Sequence, residues 1–231
     1  MNEGVSPLKA RLEGVLARIR AAAARAGRDA GEITLIGVTK TVAPGAIREA
    51  VDLGLGHLGE NRVQEAQAKV AVLGRIARWH MIGHLQSNKA ARAVELFDEV
   101  QSVDRAGLAT ELARRARERG VRLPVLLEVN VSGEATKFGV APVDLPALAE
   151  VVRGLPELEL RGLMTVGRPV AAAEAARADF ARLRELRDAC ARRVGAPLAE
   201  LSMGMSQDFE VAIEEGATAV RVGTAIFGPR A

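Results

Sequence analysis

The sequence predicts a single α/β domain built as a (β/α)8 barrel, with one extra helix in front. Three observations predict it. Short apolar, β-branched runs alternate with longer segments of helical periodicity along the whole chain, and strict β-then-α alternation implies a parallel sheet. Eight such units fit into 231 residues, the size of a compact barrel. No Gly-x-Gly-x-x-Gly follows the first strand, which counts against a doubly wound open sheet.

The elements follow in order. Residues 5–27 carry Leu8, Leu12, Val15, Leu16 and Ile19 at spacings of three and four, one apolar stripe of a helix; residues 1–31 form an N-terminal appendage packed on the barrel. Ile33 to Lys40 is the first strand, dense in Val, Ile and Thr and too short for a helix. Pro44 opens the next helix. His57–Glu60 is the second strand, with a helix over 62–73 behind it, and Trp79–Gly83 is the third, with a helix of about ten residues from Ser87. Glu99–Val103 is the fourth, and Asp104 is placed to cap a helix running to Arg119. Strands at 124–131, 158–165, 198–203 and 218–222 complete the set, with helices at 143–152, 171–194 and 206–215 and a short segment opening at Gly223-Thr224. No linker, low-complexity tract or close repeat interrupts residues 1–231, so one domain is expected.

Composition narrows the function classes. Hydrophobic residues make up 48% and charged residues 26% of the chain, ordinary for a soluble domain. No apolar run approaches the roughly 20 residues that span a bilayer, and Met1-Asn-Glu-Gly is no secretory signal. The single cysteine, Cys190, rules out an intrachain disulfide and suits a reducing compartment; a cytoplasmic location is expected. The net charge of +3 carries little weight, because arginines between 177 and 193 alternate with Glu174, Asp179, Glu185 and Asp188. With only 3% aromatic residues there is little to stack on exposed bases. Neither nucleic acid nor membrane is an expected partner, and the charged helix faces suit a monomer.

In such barrels the reacting groups come from the C-terminal ends of the strands and the loops after them. Lys40 stands at one of these ends. The chain has five lysines against 27 arginines, so this lysine is not filler. If Ile36 and Val38 face inward, period 2 puts Lys40 on the same face. A lysine leaving a buried strand loses hydration, which favours the neutral, nucleophilic amine and Schiff-base chemistry with an aldehyde or ketone; the plain alternative is a lysine that snorkels to solvent. The same rim gathers Glu60-Asn61, His84, Ser87-Asn88, Asn130 and Met164-Thr165.

The last two units point to an anion. Ser202-Met-Gly-Met-Ser206 and Arg221-Val-Gly-Thr224 each join a strand to a helix. Barrels often bind phosphate with these two loops, through free backbone N–H groups and the positive ends of helices. Glycines admit close approach, and the hydroxyls of Ser206 and Thr224 add donors. Ordinary capping by Ser206 is the plainer reading, and Asp208 and Glu210 in the same turn suit it. A Schiff-base lysine opposite a phosphate cradle specifies a phosphorylated aldehyde, of which pyridoxal 5′-phosphate is the obvious one. Arg221 would then face the pyridine nitrogen, keep it unprotonated and weaken the ring as an electron sink; the alternative for Arg221 is an ion pair with Asp208 or Glu210.

Six stretches carry a resemblance: Ile36–Lys40, Gly59–Glu65, Trp79–Lys89, Gly162–Met164, Leu201–Asp208 and Val220–Gly228. In order, over nearly the whole chain, they resemble the motifs of pyridoxal phosphate homeostasis proteins, whose fold is related to the N-terminal barrel of alanine racemase. The resemblance implies a fold type III barrel with a covalent aldimine of pyridoxal 5′-phosphate on Lys40. It places Asn61 near the ring and Met164 in its pocket. Gly204, Ser206, Gly223 and Thr224 would hold the phosphate, and Arg221 would face the ring nitrogen. One departure is visible: His84 stands where the family pattern has proline.

Alanine racemase takes its second base from a tyrosine of a further domain, and this chain has no tyrosine. The resemblance therefore implies a protein that carries and buffers the cofactor and maintains amino-acid and 2-oxo-acid balance, with no established turnover. Transient contact with apo-enzymes that take up the cofactor is the implied partnership. The rivals are a one-domain amino-acid racemase, with His84 or another loop residue as second base, and a cofactor-free Schiff-base aldolase. Lys137 is a further candidate for transient aldehyde binding.

Overall fold

The computed structural model describes residues 6–134, 136–167 and 172–229. Eight parallel strands close into a barrel in strict sequence order, β8 pairing back onto β1. They are β1 (Thr34–Val38), β2 (His57–Glu60), β3 (Arg78–Met81), β4 (Glu99–Val103), β5 (Leu123–Glu128), β6 (Leu158–Met164), β7 (Glu200–Ser202) and β8 (Ala219–Val222). The helices are α1 (Pro7–Arg25), α2 (Pro44–Asp52), α3 (Val63–Leu73), α4 (Ala90–Leu96), α5 (Ala106–Arg119), α6 (Leu145–Arg153), α7 (Arg177–Val194), α8 (Phe209–Glu214) and α9 (Thr224–Phe227).

Period 2 sorts each strand's side chains. Thr34 and Ile36 of β1 look into the barrel beside His57, His80 and Ala219, while Leu58, Val100, Leu127, Leu163, Leu201 and Val220 are fully buried in the apolar shell. Burying each such side chain is worth about 1.5–3 kcal/mol, so the outer shell holds the barrel to its helices. Gly162 is required by contact: a Cβ there would lie 1.9 Å from the Glu200 carbonyl oxygen of β7.

Helix α1 starts at Pro7, capped by Ser6 Oγ, which accepts from the N–H groups of Leu8 and Lys9. Its buried face (Leu8, Leu12, Val15, Ile19) lies over α8 and α9. Arg11 Nε donates to the Ile226 carbonyl at 2.7 Å and Arg18 grips Glu210 at 2.8 Å. The N-terminal appendage thus braces the last two units of the barrel from outside.

Several expectations are corrected. β1 ends at Val38, so Lys40 lies in the following turn. Asp104 does not cap α5; its carboxylate bonds Arg105 at 2.5 Å instead. The stretch from Ser87 divides into a 3-10 turn over Ser87–Lys89 and α4. α7 begins at Arg177 behind a 3-10 turn over Ala173–Ala176; residue 171, where the helix was expected to start, lies outside the described residues. The helix expected over 206–215 covers only Phe209–Glu214, and Ser206 does not cap it.

Candidate cofactor site

β1 carries the chain upward through the barrel wall and sets Lys40 in the turn above Val38. Thr34 and Ile36 face inward, and Lys40 follows two residues after Val38, in the turn at the C-terminal end of the strand. Lys40 is half-buried, and among the described residues no side chain pairs with its amine.

Its two neighbours are pinned. Thr39 is fully buried, and its hydroxyl donates to Glu60 Oε1 at 2.5 Å. Lys69 of α3 donates to the Thr39 carbonyl at 2.5 Å, to Glu60 Oε1 at 2.6 Å and to Glu65 Oε1 at 2.8 Å. Glu65 Oε1 also accepts from the Thr41 N–H at 2.6 Å. Thr41 has φ 63°, in the left-handed region, a strained state that persists only where surrounding contacts over-determine it. Burial pushes the Glu60 carboxyl up, while the Lys69 and Thr39 hydrogen bonds pull it down.

On the neighbouring strand β8, in register with Ile36 of β1, Arg221 is 3% exposed. Its Nη1 donates to Ser202 Oγ at 2.6 Å and its Nη2 to the Thr165 carbonyl at 2.7 Å. Neither Asp208 nor Glu210 is its ion-pair partner: Asp208 accepts from the Met205 N–H at 2.6 Å, and Glu210 holds Arg18. Desolvation brings the guanidinium down to about 10, so it stays protonated at neutral pH. A hydrogen-bonded chain runs on from it through the polar lower barrel. The Ser202 hydroxyl donates to Gln101 Oε1 at 2.7 Å, and Gln101 Nε2 donates to Glu99 Oε1 at 2.6 Å. His80 Nδ1 lies 3.2 Å from Glu99 Oε1, and His57 Nδ1 lies 3.0 Å from His80 Nε2. Glu128, paired in register with Met164, is buried beside this group. Burial, reinforced by Asp104 and opposed by Arg221, raises its carboxyl to about 7.

The two late loops meet through a hydroxyl. Ser206 Oγ accepts from the Gly223 N–H at 3.2 Å and the Ala225 N–H at 3.4 Å. It therefore ties the loop after β7 to the start of α9. With α8 six residues long and α9 four, helix dipoles add little here, and N–H and O–H groups are the donors these loops offer. Gly204 has φ 90°, and a Cβ there would come 2.6 Å from Ala212 Cβ; its first duty is close packing of this loop on α8. A Cβ at Gly223 would lie 3.4 Å from the Val38 carbonyl oxygen, which brings β8's end tight against β1.

The remaining sequence candidates fall around the same rim. Met164 is fully buried between its register partners Glu128 and Ser202. Asn61 is half-buried, its Oδ1 shielded from solvent without a hydrogen-bond partner, and its backbone packs where a Cβ on Gly83 would lie 2.5 Å from the Asn61 carbonyl oxygen. Thr224 opens α9. His84 stacks on Phe138 at 3.9 Å, with Nδ1 3.3 Å from Asp104. Lys137 lies 3.4 Å from Glu134 in the loop after β5, where Asn130 Nδ2 donates to the Glu134 carbonyl at 2.9 Å. Sequence reasoning missed Lys69, Glu128 and Gln101, and placed Ser202 in the late loop without its bond to Arg221. For Lys69 the i,i+4 spacing from Glu65 was a usable signal.

The donor set suits a phosphorylated pyridine aldehyde: a partnerless primary amine, a shielded cation fixed by neutral groups, and hydroxyl and backbone donors on two adjoining loops. Comparison with known proteins agrees. The family described as the alanine racemase N-terminal domain matches residues 12–231. A pyridoxal phosphate homeostasis protein of Pseudomonas aeruginosa is 51% identical over 94% of this chain and 93% of its own length. One from Aquifex aeolicus is 47% identical over 95% and 97%. PipY of Synechococcus elongatus, solved with pyridoxal phosphate bound, superposes with a TM-score of 0.80 at 40% identity, over 91% of this chain and 99% of that one. An alanine racemase of Clostridium difficile shares the fold at a TM-score of 0.74 and 15% identity, and this chain spans 56% of its length. The chain belongs to the family of pyridoxal phosphate homeostasis proteins, built on the alanine racemase N-terminal barrel.

Proposed function

We propose that this protein binds pyridoxal 5′-phosphate as an aldimine on Lys40 and carries and buffers it in the cytoplasm as a monomer, keeping cofactor and amino-acid pools balanced. The observation that carries this reading is the Lys40 amine, without a side-chain partner among the described residues and held between two pinned threonines, at the same end of the barrel as Arg221 and the Ser206–Gly223 tie of the neighbouring β8. Bound there, the cofactor supplies an electrophilic aldehyde. The chain's own residues do the rest. Lys40 bonds it, Ser206, Thr224 and the backbone at Gly204 and Gly223 hold its phosphate, and Met164 and Asn61 flank the ring. Arg221, protonated and without a carboxylate hydrogen bond, faces the ring nitrogen and disfavours a second positive charge there. A ring kept unprotonated withdraws electrons weakly, which suits storage over turnover. Handover to apo-enzymes by transient contact completes the reading.

The purified protein is expected to absorb in the visible region, and Lys40→Ala to abolish that absorbance. Retained colour in the variant sinks the assignment. A racemase would need a second proton-transfer group, for which Glu128 is the shielded candidate. Incubation of L- and D-amino acids in deuterium oxide separates the readings: a carrier leaves Cα hydrogen in place over hours, and a racemase exchanges it rapidly.

A further inference from the structure

Two sequence stretches of the barrel rim, 61–64 and 81–89, are largely unused by the reading above, yet they converge. Together they line a cavity of 410 Å3 between the tops of β2 and β3 and the starts of α3 and α4, within the range of about 300–1,000 Å3 usual for small-molecule sites. Its wall is apolar at Val63, Met81 and Leu85 and polar at Gln64 and Gln86. Two cations, Arg62 and Lys89, line it. Among the described residues, neither side chain makes a hydrogen bond or an ion pair. Most arginines along α5 and α7 are paired with carboxylates, whereas these two cations line an open cavity. The nearby carboxylates are already engaged. Glu65 is held by Lys69 at 2.8 Å and the Thr41 N–H at 2.6 Å, and Asp104, beside His84, by Arg105 at 2.5 Å. The first turn of α3 adds N–H groups without a side-chain cap.

We propose that this cavity is a second ligand site, for a small organic phosphate monoester. Two cations without hydrogen-bond partners (Arg62 also acts at longer range on the Glu65 carboxylate), together with amide donors, match a dianion's three oxygens, and the apolar wall accepts a ring or short chain. Met81 points away from the barrel axis, since His80 beside it points in. The cavity therefore lies outside the mouth that holds Lys40, and Asn61 stands at the border.

The test rests on the Lys40 reading only to block the first site. The protein is loaded with pyridoxal 5′-phosphate and reduced with borohydride, which seals Lys40 as a secondary amine. Phenyl phosphate, which has no aldehyde, is then titrated in by calorimetry. One equivalent is expected to bind, with affinity falling about tenfold or more in the Arg62→Met, Lys89→Met double variant. Both side chains reach solvent, so an unchanged melting temperature checks the fold of the variant. No binding to the sealed protein, or equal affinity in the double variant, overturns the proposal. Should reduction leave Lys40 unmodified, the barrel-mouth reading fails by itself; the same titration of wild type against double variant still decides the second cavity.

Discussion

Lys69 Nζ donates to the main-chain carbonyl of Thr39 at 2.5 Å, reaching from α3 to the residue before Lys40. The same ammonium holds Glu60 and Glu65, and Glu65 holds the N–H of Thr41. One buried cation thus fixes the main chain on both sides of the candidate reactive lysine. Preorganisation of this kind lowers the ordering cost of bond formation at Lys40.

Removing that cation should be expensive. In Lys69→Met, Glu60 remains buried without its countercharge, a situation that costs about 3–5 kcal/mol. Thermal unfolding should show a large drop, and the loaded protein should lose cofactor faster on dialysis. Adding Glu60→Leu should recover part of the stability, because the stranded charge goes with it. A single variant as stable as wild type contradicts the buried clamp.

Glu128 gives a pH dependence with a definite sign. Burial raises its carboxyl from 4.5 to about 7. A carboxyl whose folded pKa lies above its unfolded one favours folding while protonated, and that advantage is lost as pH rises through the folded pKa. Glu128→Gln cannot ionise. Relative to wild type it should gain on the order of 1–3 kcal/mol between about pH 4 and pH 8. Denaturant unfolding at the two pH values measures it, and a gain on acidification instead would reverse the assignment.

Gln101 is 1% exposed and links Ser202 to Glu99. Gln101→Leu keeps the bulk but strands a buried hydroxyl and removes a donor from a carboxylate, costing about 1–3 kcal/mol. Because Ser202 orients Arg221, the visible band of the loaded protein should also shift. A destabilised variant with an unshifted band would separate the network from the ring.

Gly204→Ala combines a left-handed backbone with a Cβ 2.6 Å from Ala212. Strain and overpacking together should cost about 2–4 kcal/mol. The displaced loop carries Ser206, so cofactor retention should fall with the melting temperature. Normal stability would mean that the loop relaxes freely.

The fold was legible in advance: alternating β and α segments announced the barrel, and the strand ending near Lys40 and the two Gly-containing loops pointed to the rim on which the candidate site residues lie. The plainer alternative for Ser206, a helix cap, fails: a serine just before a helix looks like its cap, but here the hydroxyl turns to Gly223 and Ala225, 17 and 19 residues on. Asp104 failed the same test, drawn off by Arg105. A cap prediction assumes that local N–H groups are the best partners in reach, and packed loops offer others.

The sequence alone determined the strand count, the order of the units and the rim on which the polar groups gather. Period and alternation are properties of neighbouring residues and survive without coordinates. Only the tertiary structure decided what each polar side chain holds: Lys69 the carbonyl of Thr39, 30 residues away, and Ser202 the amide of Gln101, 101 residues away. Hydrogen-bond partners are chosen by distance in space, and barrel closure brings those distances about.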